Sequence, residues 1–228
     1  MATNNKKPLI IIGGSGHGCV IEACIKSNLK NNPAYEWDLK GYCNDFETEI
    51  DGYPVLGRLS DIPRFVEEGY YFAWAIHLIA KNVKTTEVFN SLVIPTERWA
   101  TIIHHTAFID DTVVLEPGVF VMANAYIAPR THIGMCTMVK ANTNIGHDVK
   151  IGALSHIAMG STIVSCVEIG YCADVAVSST VLANTKIGDY AMLGAASLLT
   201  HNIPDGQIWV GSPACYLKDM EGYMKIEE

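Results

Sequence analysis

Residues 133–156 read IGMCTM VKANTN IGHDVK IGALSH, blocks of six that each open on an aliphatic side chain. The register extends both ways. Every sixth residue from Ile103 to Leu199 is Ile, Val or Leu, seventeen positions without a break. Helices repeat every 3.6 residues and strands every two, so neither alone yields a strict six. A period of six is the mark of a hexapeptide-repeat parallel β-helix, in which each hexad supplies one short strand and one corner. The aliphatic side chain points into a triangular prism. Glycine after it (Gly134, Gly146, Gly152, Gly170, Gly188) or a small residue four after it (Thr131, Thr137, Ser155, Ser179) is expected to fit the tight turn. Three hexads make a coil of about 18 residues, so the repeat spans somewhat more than five coils that bury their cores by stacking. Asparagines at that spacing, Asn124 with Asn142 and Asn184 with Asn202, should form corner ladders. No insertion interrupts the period, so a site on this smooth prism must use a groove between subunits or the junction with what precedes it.

The preceding segment has another rhythm. The apolar run Leu9–Ile12 ends in Gly13-Gly14-Ser15-Gly16-His17-Gly18 and leads into the helical spacing of Val20, Ala23, Cys24 and Leu29. Strands are expected at 37–43 and 70–77, helices at 61–68 and 83–92, and a turn-rich excursion at 52–57. This β-α-β-α-β-α order predicts a small Rossmann-like α/β domain over residues 1–98, followed by the β-helix domain over 99–217 with a tail to 228. The glycine loop is G-x-x-G-x-G rather than the dinucleotide fingerprint G-x-G-x-x-G. Its free N–H groups at a helix start still suit a phosphate, which makes Gly14, Ser15, Gly16 and His17 candidate substrate contacts. Asn44 and Asp45 end the second strand beside the same crevice, to meet a ribose or base or to cap a turn.

The 228 residues are 49% hydrophobic and 18% charged, with a formal net charge of -8. That composition folds, and it argues against a broad nucleic-acid face. The seven cysteines show no C-x-x-C pair, which suits a reducing, cytoplasmic setting. Met1–Pro8 is polar and reads as neither signal peptide nor membrane span.

Of the eight histidines, His147 carries most weight. It occupies an exposed hexad position beside Asp148, and an imidazole oriented by a carboxylate is a general-base pair. His156, nine residues on, lies on another face of the prism. In a threefold assembly it faces substrate or acyl donor. His77 reads as structural, and no metal site is expected, because His132, His147 and His156 share no 18-residue column.

Taken together, Ile11-Ile12-Gly13-Gly14-Ser15-Gly16-His17-Gly18, Gly52-Tyr53-Pro54-Val55-Leu56-Gly57, His147-Asp148, Ser155-His156-Ile157 and Val210-Gly211-Ser212-Pro213-Ala214 resemble the hexapeptide-repeat sugar acyltransferases of the sialic acid O-acetyltransferase and bacillosamine-pathway N-acetyltransferase type. The resemblance implies a left-handed β-helix and a homotrimer with acetyl-CoA in the groove between β-helices. It further implies a UDP-, GDP- or dTDP-linked amino sugar on the first domain. His147 is then the base, Asp148 its partner, and His156 a contact to substrate and acetyl-CoA. The tail around Gly211 and Pro213 covers the acetyl-CoA groove, with Trp209 against the cofactor or the prism end. The implied reaction is N-acetylation; O-acetylation of a sialic acid and a non-enzymatic scaffold are the alternatives. One departure is Cys19, where many members carry Arg or Lys after the glycine loop. Met220–Glu228 is expected to be a short peripheral element.

Overall fold

The computed structural model describes residues 6–224. The first domain is built on a five-stranded sheet. β1 (Lys7–Ile12) is its buried core, with Leu9 to Ile12 wholly inaccessible. β2 (Trp37–Cys43) pairs parallel on one side of β1; β5 (Tyr71–Trp74) pairs parallel on the other. Between them in sequence, β3 (Glu49–Ile50) and β4 (Tyr53–Gly57) form a short hairpin whose second strand adds parallel to β2. Of the segment 52–57, only Gly52 lies in a turn, at φ 81°; Tyr53–Gly57 is a sheet strand and not the turn-rich excursion its Gly and Pro suggest. Pro54 is tolerated because β4 is short and near the sheet margin. β5 ends at Trp74, three residues before His77.

Helix α1 (His17–Asn31) lays Ile21, Cys24 and Ile25 on the sheet, at helical spacing, while Asn28 reaches the start of the β-helix, donating to Ile103 O and accepting from His105 N–H. α2 (Ile62–Glu67) and α3 (Asn82–Asn90) complete the layer arrangement. The buried Glu22 of α1 is not left alone: the Tyr42 hydroxyl donates to it at 2.7 Å and Lys26 pairs with it one turn on.

The chain passes from this sheet into the β-helix at Trp99–Ala100, where Ala100 N–H donates to Phe72 O at 2.8 Å. Seventeen two-residue strands follow, β6 (Ile102–Ile103) through β22 (Leu198–Leu199), winding a left-handed parallel β-helix with three faces. The second residue of each strand is the aliphatic one. From Val121 to Leu199 these side chains are at most 3% exposed and form one continuous core. Burying each contributes about 1.5–3 kcal/mol.

The corners are made differently from the sequence expectation. The residue in left-handed conformation is the third after the aliphatic one, at every hexad from Gly118 to Ala196, and only Gly118 and Gly160 there are glycine. The rest include Asn124, Arg130, Cys136, Asn142, Asp148 and Cys166, at φ 54–60°. The glycines that follow the aliphatic residue serve close packing instead. A Cβ on Gly146 would lie 2.8 Å from the backbone N of Ser165 in the next coil. The small residues four after the aliphatic one are buried hydroxyls that tie coils together. Thr131 donates to Gly146 O, Thr137 to Gly152 O and Ser155 to Gly170 O, at 2.8–2.9 Å.

The Asn124 amide reaches Asn142 at 3.4 Å, as a ladder should. Asn202 instead accepts from Lys186 N–H, because the last coil shortens from 18 residues to 16. The tail then forms a hairpin. β23 (Gln207–Gly211) pairs parallel with β21 (Met192–Leu193), and β24 (Ala214–Asp219) pairs antiparallel with β23. Met220 is buried, and its N–H donates to Gly206 O, so the segment after the hairpin docks rather than lying peripheral. Residues 225–228 of that predicted element lie outside the described residues. Among the described residues, no helix is long and apolar enough to cross a membrane.

One face of the prism is covered by the first domain. Along its outward column run Ile102, Phe120, Met138, His156, Asp174 and Met192, in register from coil to coil. Ile102 and Phe120 share a core with Leu9, Ile11 and Tyr42, so the two parts are joined by common apolar packing. Past Met138 the column turns polar.

Candidate active site

His147 sits at the corner between β13 (Asn144–Ile145) and β14 (Lys150–Ile151). Its Nδ1 lies 2.6 Å from Asp148 Oδ2. Adjacent residues reach each other here because Asp148 takes the left-handed corner conformation, φ 58°, one that Asp tolerates better than most residues. Arg130, the corner residue one coil earlier, closes on the same carboxylate. Its Nε donates to Oδ1 and its Nη2 to Oδ2, both at 2.7 Å, a bidentate fork. These Arg130 bonds, then the His147 bond, hold the Asp148 carboxyl well below the usual carboxylate range. A carboxylate held ionised favours the tautomer with the proton on Nδ1, leaving the Nε2 lone pair free. Half of the His147 side chain is exposed, at 51%. Cys166, the next residue up the corner column, has its thiol within 4.8 Å of the His147 and Asp148 donor atoms. Arg130 escaped sequence reasoning, although its signal was present: opposite charges 18 residues apart stack in this fold.

His156 is not near this corner. It begins β15 (His156–Ile157) on the face covered by the first domain and is mostly buried. Its ring stacks on His77 at 4.1 Å and meets His17 edge-on at 5.3 Å. Its Nδ1 is 3.5 Å from Asp174 Oδ1, and its Nε2 has no hydrogen-bond partner. Burial, then Lys140, holds His156 down at about 3. His77 is thus no lone structural histidine: it joins two predicted site residues, His17 and His156, at the junction.

Lys140 is the second group missed. It is only 4% exposed, and its Nζ lies 2.8 Å from His17 Nδ1. Burial lowers it to about 8. In sequence it follows an aliphatic column residue and reads as a solvated lysine. Only the docking of α1 on the prism brings it to the glycine loop, from 123 residues away. It puts a cation beside the loop whose own position 19 is a cysteine; that Cys19 thiol donates to Gly16 O.

Gly13 N–H donates to Cys43 O. Gly13, at φ 143°, lies so close to Ala75 that a Cβ would come 2.8 Å from its carbonyl oxygen. Among the described residues, the N–H groups of Gly14, Ser15 and Gly16 have no partner, and Ser15 and Gly16 are exposed. Asn44 is turned inward as a brace. Its amide donates to Gly13 O and its oxygen accepts from Phe46 and Glu47 N–H. Asp45 Oδ1 accepts from Leu59 N–H, also a capping role.

In the tail, Gly211 N–H donates to Ser197 Oγ at 2.9 Å, and Pro213 is exposed in the hairpin turn. Trp209 packs on the end of the prism core, the sealing role rather than an open groove wall.

Residues 8–82 match the PglD N-terminal domain family. No curated protein sequence matches the chain. A His-to-Asn variant of the perosamine N-acetyltransferase from Caulobacter crescentus, solved with CoA and GDP-perosamine, is 24% identical over 93% of this chain and 97% of its own, with a TM-score of 0.81. The acetyltransferase domain of PglB from Neisseria gonorrhoeae, solved with acetyl coenzyme A, is 21% identical over 93% of this chain and 100% of its own, at 0.78. WeeI from Acinetobacter baumannii is 18% identical over the same shares, at 0.69. At these identities the likeness establishes the shared fold, an α/β domain followed by a left-handed β-helix.

Proposed function

We propose that the protein transfers an acetyl group from acetyl-CoA to the amine of a nucleotide-linked amino sugar. The observation that carries this reading is the oriented imidazole: His147 held through Nδ1 by an ionised Asp148, itself gripped by Arg130. Support comes from end-to-end likeness to folds that include an N-acetyltransferase solved with CoA and GDP-perosamine.

In this mechanism the sugar amine attacks the thioester carbonyl. The C–N bond forms as His147 Nε2 takes the amine proton, and the tetrahedral intermediate expels the CoA thiolate, which the imidazolium reprotonates. Asp148 stabilises the imidazolium, and a backbone N–H in the groove supplies the oxyanion contact. The N–H groups of Gly14, Ser15 and Gly16, with His17 and Lys140, take the diphosphate at the start of α1. The free oxygen of Asp45 meets the ribose or base, and Asn44 holds the loop in shape. His156, Gly211 and Pro213 complete the acetyl-CoA side.

Because His147 and His156 lie on different parts of one chain, we place each active site between subunits of a homotrimer, where the corner of one prism faces the junction of the next. Exposed apolar side chains on the prism, Met159 and Val177 one coil apart among them, suit such a contact. Free thiols suit the cytoplasm.

The test is an acceptor screen with acetyl-CoA and a thiol-release readout. UDP-, GDP- and dTDP-linked 4-amino sugars are set beside CMP-sialic acid and free sialic acid, with His147→Ala as control. His147-dependent release with an amino sugar is expected. Release only with a sialic acid would replace N-acetylation with O-acetylation.

A further inference from the structure

The junction cluster holds a cation with no counter-ion. Lys140 follows β12 (Met138–Val139) on the prism and is 4% exposed. Among the described residues no carboxylate pairs with it. Its Nζ lies 5.5 Å from the Phe120 ring centre and 2.8 Å from His17 Nδ1. Buried charges in proteins are normally paired, so one left without a counter-ion marks where an anion arrives with a ligand.

The groups facing Lys140 come from three elements. His17 and Cys19 belong to α1, His77 to the segment after β5, and His156 to the next coil. Asp174, one coil further, lies against His77 and His156 instead, at 3.3 and 3.5 Å. Burial holds His17 and His77 down at about 4 and His156 at about 3, so the three rings are neutral. With Nδ1 accepting from the ammonium, the His17 proton sits on Nε2, which becomes a donor. Immediately before His17 stand the unpartnered N–H groups of Gly14, Ser15 and Gly16. The loop alone can cradle one phosphoryl group. The cation beside it, supplied by the prism, serves a second.

We propose that Lys140 and His17 form a proton-sharing couple that makes the glycine loop select a nucleoside diphosphate over a monophosphate, with a proton taken up as the ligand binds. Lys140 is the specificity-determining cation and positions His17. Burial lowers Lys140 to about 8, so near that pH part of the chains hold it as a neutral amine. A diphosphate favours the ammonium, and the missing proton comes from solvent. The inference deepens the reading above and rests on its nucleotide half alone.

The test is titration calorimetry on the full chain with GDP, UDP and dTDP and the matching monophosphates, without acetyl-CoA. It is run at pH 8.5 in buffers of different ionisation enthalpy. Phosphate groups, with a second pKa of about 6, are already ionised there. The best-bound diphosphate should take up roughly half a proton or more per chain. Its monophosphate should bind at least about tenfold more weakly. Lys140→Met should weaken the diphosphate by about 10- to 100-fold, leave the monophosphate unchanged and abolish the uptake. Lys140→Arg, always charged, should restore affinity without uptake. Cys19→Ser should keep both. Diphosphate binding without proton uptake in the wild type overturns the proposal, as do equal affinities for the two phosphate classes. So does uptake that survives Lys140→Arg and vanishes in Cys19→Ser, or failure of all three diphosphates to bind at millimolar concentration. The wild-type titrations decide the matter even where a variant fails to fold. A chain that passes them but acetylates no amino sugar loses the acetyl-transfer reading and keeps this one; a chain that acetylates without uptake loses only this one.

Discussion

Asp148 shows how much one residue's surroundings decide. It is a corner residue in left-handed conformation, a partner for His147 and the anchor of an arginine fork. Removing the base, as His147→Ala, is expected to lower kcat/KM by about 10²- to 10⁴-fold with the fold intact. Arg130 touches no reacting atom in this scheme and acts through Asp148. Arg130→Ala should therefore lower kcat by about tenfold while KM for acetyl-CoA stays near its original value. A raised KM with unchanged kcat would make Arg130 a ligand contact instead. The fork also has a pH signature. Asp148 has its carboxyl pKa depressed in the folded chain, from an ordinary value of 3.8. Its pairing thus stabilises the fold above about pH 4 and is lost as pH falls further. The melting-temperature gap between wild type and Arg130→Ala should narrow below about pH 4; a gap that widens on acidification would contradict this.

At the scale of the element, each hexad is a strand and a corner, and those with Ser or Thr four after the aliphatic residue, such as Thr131, Thr137, Ser155 and Ser179, add a hydroxyl tie between coils. The glycines and the left-handed residues occupy different positions, and substitutions should separate their roles. Gly146→Ala pushes a Cβ to 2.8 Å from the next coil's backbone, so it should cost about 1–3 kcal/mol in denaturant unfolding. Ala196→Gly relieves a left-handed alanine, φ 53°, and should be neutral or stabilising by up to about 1 kcal/mol. If the two variants reversed sign, the assignment of roles would fail. Ile163→Ala in the core column should cost about 2–5 kcal/mol. The strict six was legible because the buried column must repeat with each side of the prism. The corner chemistry was not, because Asn, Arg, Cys, Asp, Leu and Tyr all occupy the left-handed position and no residue type marks it.

On the scale of the whole molecule, the first domain and the prism meet along one column of outward side chains, and that contact creates the junction cluster. The proposed trimer puts the His147 corner of one chain against the junction of another. Light scattering should then give a mass of three chains. Val177→Glu, at an exposed apolar position of the prism, should lower that mass and the acetyl-transfer rate together. A fully active monomer would place the whole site within one chain.

The sequence by itself determined the prism, through seventeen aliphatic positions that have no other use, and the order of the two parts. It also singled out His147 with Asp148, because residues adjacent in sequence at a corner stay neighbours whatever else packs around them. The strand Tyr53–Gly57 escaped it, since Gly and Pro mark turns locally while β4 is held by pairing with β2. So did Lys140, His77 and Asp174 as partners of His17 and His156. Their meeting depends on how α1 and the segment after β5 dock on one face of the β-helix. That docking is set by apolar packing between residues far apart in the chain, and no local period records it.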